Sequence, residues 1–536
     1  MWKRPETILE LLKRNVTDFG DREAFISVSQ MKNKWVRHTW REMDAITDKV
    51  AGGLMDLSLK KGQKVAFMNS NCAECYYCYL GVHKAGGVFV PINVRLVDRE
   101  VEYLVNHCDA EYLILGSQFS ELVNRIRERA EKINTFIWIG RENEGSPPWA
   151  TTLEEILKEE KRIPNLEITP EDVADLIYTT GTTGLPKGVV LTEANKVANG
   201  CMNGLAWDIR RKHHRPVRLQ TSFPFFTSTG LSSTMMSWLY YGYILILEEK
   251  FDTVGTLETI EREKTTCYVA APSMLIFVLD HPRFKEFDTS SLQVIGYGGS
   301  PVPEELIRRV YKIWPEVKLI NIYGLTEGGV GGIQLEPADA LRKMGSIGLP
   351  WAPDQEGRIV NEKGENAKVN EPGEIVLRGP NVMKEYYKNP EATREALRDG
   401  WLHTGDIGYY DEDGYFFYTD RMKDMIVRGG FNIYSIEVEN ALYEHSAVKQ
   451  CAVIAKPHPK LGEDVLALVV LFEGKEVSGD DLINFTSDKL ADYKRPREVV
   501  FVKALPTNAA GKVDKKALRG TYKDLQTPQK HTDGAS

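Results

Sequence analysis

Between Tyr178 and Gly188 the chain reads Tyr-Thr-Thr-Gly-Thr-Thr-Gly-Leu-Pro-Lys-Gly, with three glycines, four threonines and one lysine. Glycines let a backbone approach anionic oxygens, and a run of exposed N–H groups forms a concave anion nest. The hydroxyls of Thr179, Thr180, Thr182 and Thr183 add donors around Gly181 and Gly184, and Lys187 adds a positive charge. The chemistry implied is the cradling of phosphate oxygens. The segment is not a Walker-type loop, which places Gly directly before Lys and Ser or Thr directly after it. Here Pro186 precedes Lys187 and Gly188 follows.

The elements that must position this loop are alternately strand-like and helix-like, which predicts α/β layering. The apolar run 173–177 leads into the loop. Earlier, 64–68 reads as a buried strand, 72–85 as a helix, 86–91 as a turn and strand, and 110–115 as a strand followed by a helix over 122–130. The same pattern recurs near 267–270, 294–295 and 318–321, predicting mostly parallel sheets covered by helices. After Gly357 short alternating strands such as 373–378 and 414–418 predict a smaller antiparallel lobe over about 357–422. From Lys423 a compact α+β unit follows, with a helix over 435–445, strands over 448–454 and 465–472, and a helix from Asp480. The expected organisation is a large domain over 1–422, a smaller mobile domain over 423–524 and a polar tail over 525–536.

The 536 residues are 42% hydrophobic and carry a formal net charge of -8. That is ample for large cores that split into domains, and it argues against a general nucleic-acid binder, which needs a basic face. The basic cluster Arg210, Arg211, Lys212, His213, His214 and Arg215 reads first as a solvated loop, with contact to a phosphorylated ligand as the second reading. Cys72, Cys75 and Cys78 have the spacing of metal or cluster ligands, but a predicted helix with no fourth cysteine nearby reads better as packed small side chains. The seven cysteines fit reduced thiols of a cytoplasmic protein better than a disulfide framework. No apolar h-region opens the chain, and no stretch reaches the roughly 18 residues a membrane helix needs. The run 238–247 reads as a helix end, a turn and a buried strand.

Taken together, the motifs resemble those of the adenylate-forming superfamily: acyl-CoA synthetases, amino-acid adenylation domains and luciferases. The 178–188 loop resembles its phosphate loop. Gly296-Tyr-Gly-Gly-Ser-Pro resembles its adenine-side glycine turn, Asn321-Ile-Tyr-Gly-Leu-Thr-Glu its YGxTE segment, and His403-Thr-Gly-Asp its TGD segment. Asp420-Arg-Met-Lys-Asp with Gly429-Gly-Phe-Asn-Ile resembles its domain hinge and the loop that follows, and Pro506-Thr-Asn-Ala-Ala-Gly-Lys its terminal lysine motif. The resemblance covers essentially the whole chain.

It implies ATP, Mg²⁺ and CoA as ligands and a small carboxylic acid as substrate. Gly298, Gly299, Ser300, Asn321, Tyr323 and Gly324 would border the adenine, since a tyrosine beside a glycine can lay its ring on a purine. Thr326 would donate to the α-phosphate. Glu327 would bind Mg²⁺, which is usually held by few carboxylates plus phosphates, with Thr179 as a second metal contact. Asp406 and Arg421 would hold the ribose, and Lys423 would be the hinge. Lys512 would offset the repulsion between an attacking carboxylate and the triphosphate. Arg428, Gly429 and Gly430 would shape the thiol channel, while Phe225, Phe226, Thr227, Tyr297 and Gly328 would border the acyl pocket.

Within the superfamily, the stretch 223–230 has no acid to pair a substrate ammonium, which disfavours amino-acid activation. Nothing positive points to a luciferase-type oxygenase. The rivals are an acyl-AMP ligase loading a carrier protein and, from another class, a catalytically retired nucleotide sensor; retention of Glu327 and Lys512 argues against the sensor. Thr227 stands where many acyl-CoA synthetases have His or an aromatic gate, which points to a bulkier or more polar acid. Thr180 stands where serine is usual and keeps the hydroxyl. The expected acid is a short or medium aliphatic or cyclic one. Homo-oligomerisation is left open.

Overall fold

The computed structural model describes residues 5–158, 166–179, 185–206, 217–300, 302, 304–350, 354–507 and 513–522, with backbone alone at 205 and 206. Two large sheets pack around shared helices. The first runs outward from Lys64–Met68, which pairs in parallel with Val88–Pro91 on one side and Ala110–Gly116 on the other. Val173–Thr179 joins in parallel beside Val88–Pro91, and Lys187–Thr192 folds back antiparallel to it. The near-continuous apolar sequence of these strands matches their burial on both faces.

The helix Ala73–Lys84 is buried along its whole length, in keeping with its all-round apolar, cysteine-rich sequence. Trp40–Asp56 packs on it and starts with a capping box, Thr39 accepting from Glu42 N at 3.2 Å while Glu42 accepts from Thr39 N at 2.8 Å. Cys72, Cys75 and Cys78 are buried thiols, Cys72 and Cys75 sharing only an S–H···S contact of 3.6 Å. Among the described residues no three or more His, Cys, Asp or Glu converge as a metal site.

The second sheet has a parallel half containing Ile244–Leu247, Arg218–Thr221, Cys267–Ala270, Val294–Gly298 and Lys318–Tyr323. It continues without a break through Ile333–Leu335 and Ser346–Pro350 into the antiparallel strands Phe416–Arg421, Trp401–Tyr410, Gly373–Arg378 and Glu356–Val360. The antiparallel lobe expected from the change of texture is therefore an extension of the parallel sheet. The third sheet pairs Val448–His458 with one edge of Gly462–Leu471; the other edge of Gly462–Leu471 takes Ile426–Arg428, with Phe431–Ile433 beyond it, and Glu498–Phe501, and Ser435–Tyr443 packs against the sheet. No helix among the described residues is long and apolar enough to cross a membrane.

Two buried polar groups stand out. Asp175, in the strand that feeds the phosphate-loop motif, lies against Lys196 at 2.5 Å and His83 at 3.3 Å, and His83 also faces Glu193 at 3.3 Å. Burial pulls the His83 imidazolium down, but hydrogen bonds to Asp175 and Glu193 outweigh it and lift the group to about 9. Two cations thus balance two anions and tie three elements together. Separately, Glu248 ends the strand Ile244–Leu247, and burial pushes its carboxyl up to about 7.

Candidate active site

The hairpin Val173–Thr179 and Lys187–Thr192 brings Thr179 opposite Lys187 and Tyr178 opposite Gly188. Tyr178 is anchored through a 2.6 Å hydrogen bond between its hydroxyl and His107 Nδ1. The ends of the glycine-threonine loop are therefore held rigidly by a two-strand ladder. Thr180, Gly181, Thr182, Thr183 and Gly184 lie outside the described residues.

Lys187 Nζ sits 4.9 Å from the centre of the Tyr386 ring, and the Tyr386 hydroxyl donates to Glu327 Oε1 at 2.8 Å. This joins the first residue after the loop to the Thr326–Gly328 turn, which follows the strand Lys318–Tyr323. Thr326 shares a short hydrogen bond with Ser228. The backbone of Glu327 accepts from Met383 N at 2.8 Å, and Gly328 O accepts from Asn381 Nδ2, so the turn is fastened from outside its own segment.

A second group forms where the strand ending at Tyr323 meets Trp401–Tyr410. The Tyr323 hydroxyl donates to Asp406 Oδ2 at 2.7 Å, and Arg421 Nε lies 3.0 Å from Asp406 Oδ1. Asp406 and Arg421 are cross-strand partners, which is why a residue pair 15 apart in sequence can share one carboxylate. Asp406 is 3% exposed. Its charge pushes the Arg421 guanidinium further up, and poor solvation with the same carboxylate pushes the Tyr323 phenol well above its ordinary range, so Tyr323 is a hydrogen-bond donor at any working pH.

Gly298 and Gly299 end the strand Val294–Gly298, with Ser300 following. A Cβ at Gly298 would meet Ile322 O at 2.2 Å, and Gly299 has φ +84°, so both positions require glycine. Asn321 Nδ2 donates to Ser346 O at 3.2 Å. At Gly324 a Cβ would meet Gly331 N at 2.2 Å, which lets the 328–332 segment fold back on the YGxTE turn.

The residues expected around the acyl group divide. Phe225 is 1% exposed and packs edge-on to Phe67 and Phe89 and beside Tyr76, inside the core between the sheets. Tyr297 is buried among Leu275, Leu306, Ile307, Val310 and Leu319 beneath the helix Glu304–Ile313. Phe226 is partly buried. Thr227, at the position expected to gate the site, commits its hydroxyl to the backbone. It donates to Pro224 O at 2.7 Å and accepts from Gly230 N at 3.2 Å, starting the π-helical stretch Thr229–Met235.

Lys423, expected as the hinge, is exposed in the turn after Phe416–Arg421. Asp420, just before it, accepts from Ser435 N at 2.6 Å, at the start of the helix Ser435–Tyr443. Lys515 bridges Ser435 Oγ at 2.5 Å and Glu439 at 2.8 Å, and Arg519 pairs with Asp424 at 2.7 Å. Gly429 and Gly430 have φ +57° and +86°, while Arg428 is paired with buried Asp464 at 2.7 Å. Lys512 and the basic cluster 210–215 lie outside the described residues. A cavity of about 350 Å³ lined by Lys61, Lys64, His83 and Lys384 contains none of the residues named for nucleotide binding.

Tyr386, Asn381 and Lys515 escaped sequence reasoning. None belongs to a glycine-rich or otherwise unusual run, and each meets its partner through long-range packing.

The sequence matches the profile of AMP-binding enzymes over residues 12–387 and that of the AMP-binding enzyme C-terminal domain over residues 437–512. It is 35% identical over 492 residues to a feruloyl-CoA synthase of an Amycolatopsis species, covering 91% of this chain and 95% of that protein. The fold matches the anthranilate CoA ligase AuaEII in complex with anthranoyl-AMP, with a TM-score of 0.88 and 26% identity over 97% of this chain and 98% of that one. It also matches the o-succinylbenzoate coenzyme A synthetase MenE of Bacillus subtilis in complex with ATP and magnesium, with a TM-score of 0.80 and 28% identity over 95% and 99% of the two chains. The order of the motifs, the strand ends that carry them and these likenesses agree: the chain belongs to the AMP-binding enzyme family, in the acyl-CoA synthetase branch of the adenylate-forming superfamily.

Proposed function

We infer that the chain is an AMP-forming acid:CoA ligase that activates a carboxylate with ATP and passes the acyl group to CoA. The observation that carries this reading is the convergence of Tyr323, Asp406 and Arg421 a few residues from the Thr326–Glu327 turn. One buried carboxylate with a paired guanidinium beside it suits a ribose diol, and a second carboxylate on a rigid turn suits a metal-bound phosphate. Family membership over both domains supports the same assignment.

On this reading the adenine lies against Gly298, Gly299, Ser300, Asn321, Tyr323 and Gly324, and Asp406 and Arg421 take the ribose. Residues 179–184 and Lys187 wrap the phosphates, and Thr326 donates to the α-phosphate. Glu327, already oriented by Tyr386, fits Mg²⁺ with Thr179 as a second contact, because this ion uses one or two carboxylates and leaves the rest to phosphates and water. Held there by Glu327 and Thr179, Mg²⁺ would supply charge neutralisation to the phosphates.

Lys512 enters from the small domain to offset repulsion as the carboxylate attacks the α-phosphorus, giving acyl-AMP and pyrophosphate. Rotation about Lys423 then withdraws Lys512 and brings 427–431 to shape the thiol path. CoA sulfur attacks the acyl carbon and AMP leaves. Asp420 and Ser435 lie on opposite sides of Lys423 in sequence, and their 2.6 Å hydrogen bond ties the two sides together. Neither step needs a covalent enzyme intermediate; positioning and charge complementarity suffice.

The test is a panel of carboxylic acids incubated with ATP, Mg²⁺ and CoA, read by mass spectrometry for acyl-CoA and AMP. CoA is expected to accelerate AMP release. Release driven only by an acyl-carrier protein would transfer the assignment to an acyl-AMP ligase, and absence of acid-dependent pyrophosphate exchange would favour a nucleotide sensor.

A further inference from the structure

The segment Gly328–Gly332 leaves the Thr326–Glu327 turn in an unusual backbone. Gly329, Gly331 and Gly332 have φ +69°, +139° and +124°, and Val330 sits at φ +48°, a region that a β-branched residue rarely occupies. Neighbouring amides fasten it: Asn381 donates to Gly328 O, and Asn203 Nδ2 donates to Val330 O at 2.8 Å. Strain held in place by the surroundings marks segments with a binding role. If Thr326 and Glu327 meet the α-phosphate, an acid attacking it must extend its remaining atoms along this segment. The inference therefore rests on the acid-activating reading above.

The helix Glu193–Ala206 passes beside the same segment. Four of its polar side chains are buried, and Glu193 faces His83 at 3.3 Å. Lys196 is used by Ser232 Oγ at 2.9 Å and Asp175 at 2.5 Å. Asn203 is used by Val330 O, Asn199 O and Ser233 Oγ. Asn199 lies between them at 0% exposure, yet neither its Nδ2 nor its Oδ1 has a protein partner. Its amide presses on Gly329, where an added Cβ would meet Oδ1 at 2.2 Å. At the other end of the segment Gln355, 7% exposed, also has both amide atoms unbonded and presses on Gly332. Buried amides are almost always satisfied, so an orphaned pair bracketing one glycine run points to a missing hydrogen-bonding partner.

We propose that Asn199 recognises the acid substrate, and that this acid carries, away from its carboxylate, a neutral group able both to donate and to accept a hydrogen bond: a hydroxyl or a carboxamide. An amide offers one acceptor and one donor side, which such a group matches and a hydrocarbon cannot. A purely aliphatic acid would seal the Asn199 amide without a partner, and sites built to bond a polar group reject analogues that lack it far more strongly than apolar pockets reject a methylene.

The experiment measures kcat/KM for acid-dependent ATP–pyrophosphate exchange with matched acids: cinnamic acid with and without a ring hydroxyl, and octanoic acid with and without a terminal hydroxyl or carboxamide. The wild type is expected to favour the polar member of at least one pair on the order of 10²-fold or more. Asn199→Leu is expected to bring that ratio near or below one while still exchanging with the apolar member, which also shows that it is folded. A wild-type preference for the apolar member of every pair overturns the proposal without any variant. An unchanged ratio in Asn199→Leu overturns the assignment to Asn199. No exchange with any acid refutes the adenylation reading itself.

Discussion

Replacing Asp406 with asparagine keeps the shape of the side chain and removes only its charge. Two costs follow. In the free protein the Tyr323 hydrogen bond changes from charge-assisted to neutral, and the pair with Arg421 is lost. The first change is worth about 1 kcal/mol. The Arg421 side chain is 43% exposed, so solvent screens the second, which adds no more than about 1 kcal/mol. A loss of about 1–2 kcal/mol lowers the melting temperature by a few degrees. In the nucleotide complex, two ribose hydroxyls would bond a neutral oxygen in place of a carboxylate, each weaker by about 1 kcal/mol. Together that is about 2 kcal/mol, or roughly a 30-fold weaker ATP interaction. The assay is pyrophosphate exchange against ATP concentration, with direct ATP binding as a second measure and KM for the acid as the control. A variant that melts as a folded protein but binds ATP within about threefold of wild type would show that Asp406 does not hold the ribose.

Tyr386→Phe removes the hydroxyl that orients Glu327 at 2.8 Å, and partners of metal ligands typically carry 10–100-fold in affinity or activity, so the Mg²⁺ concentration for half-maximal exchange is expected to rise on the order of tenfold, read by Mg²⁺ titration; an unchanged titration separates Glu327 from the metal. Lys512→Ala is expected to lower adenylation by about 10²-fold or more while sparing thioester formation from supplied acyl-adenylate, measured as separate half-reactions; equal loss of both refutes its assignment to the first step. Glu248, ordinarily near 4.5, is raised to about 7, so between those values the folded state binds more protons than the unfolded one and stability falls as pH rises, by on the order of 3 kcal/mol in total. Denaturant midpoints at pH 5 and pH 7.5 are expected to show this fall in the wild type and a flatter response in Glu248→Gln, and parallel responses would contradict it.

The motifs were legible because each is a contiguous run with unusual composition. The loop 179–184, the glycines 298 and 299 and the segment 321–327 advertise themselves by residue type, and the strands that carry them by unbroken apolar runs. The positive φ at Gly299 and the close approach at Gly298 leave only glycine there, so local sequence and local geometry agree. The expected strand and helix over 64–85 fall within a residue or two of Lys64–Met68 and Ala73–Lys84.

Contacts between distant segments carry no such signature. Asp406 meets Tyr323 across 83 positions and Glu327 meets Tyr386 across 59, by sheet register and a strand added at an edge. Phe225 and Tyr297, expected at the acyl pocket, are both buried, and their packing partners come from segments far away in sequence. Composition and short-range pattern therefore determined which residues exist to handle a nucleotide and an acid. Only tertiary packing decided how they are oriented, which charges are paired off as with Asp175 and Lys196, and which buried amide, at Asn199, has no protein partner. Hydrogen-bond satisfaction is a property of three-dimensional neighbours, not of spacing along the chain.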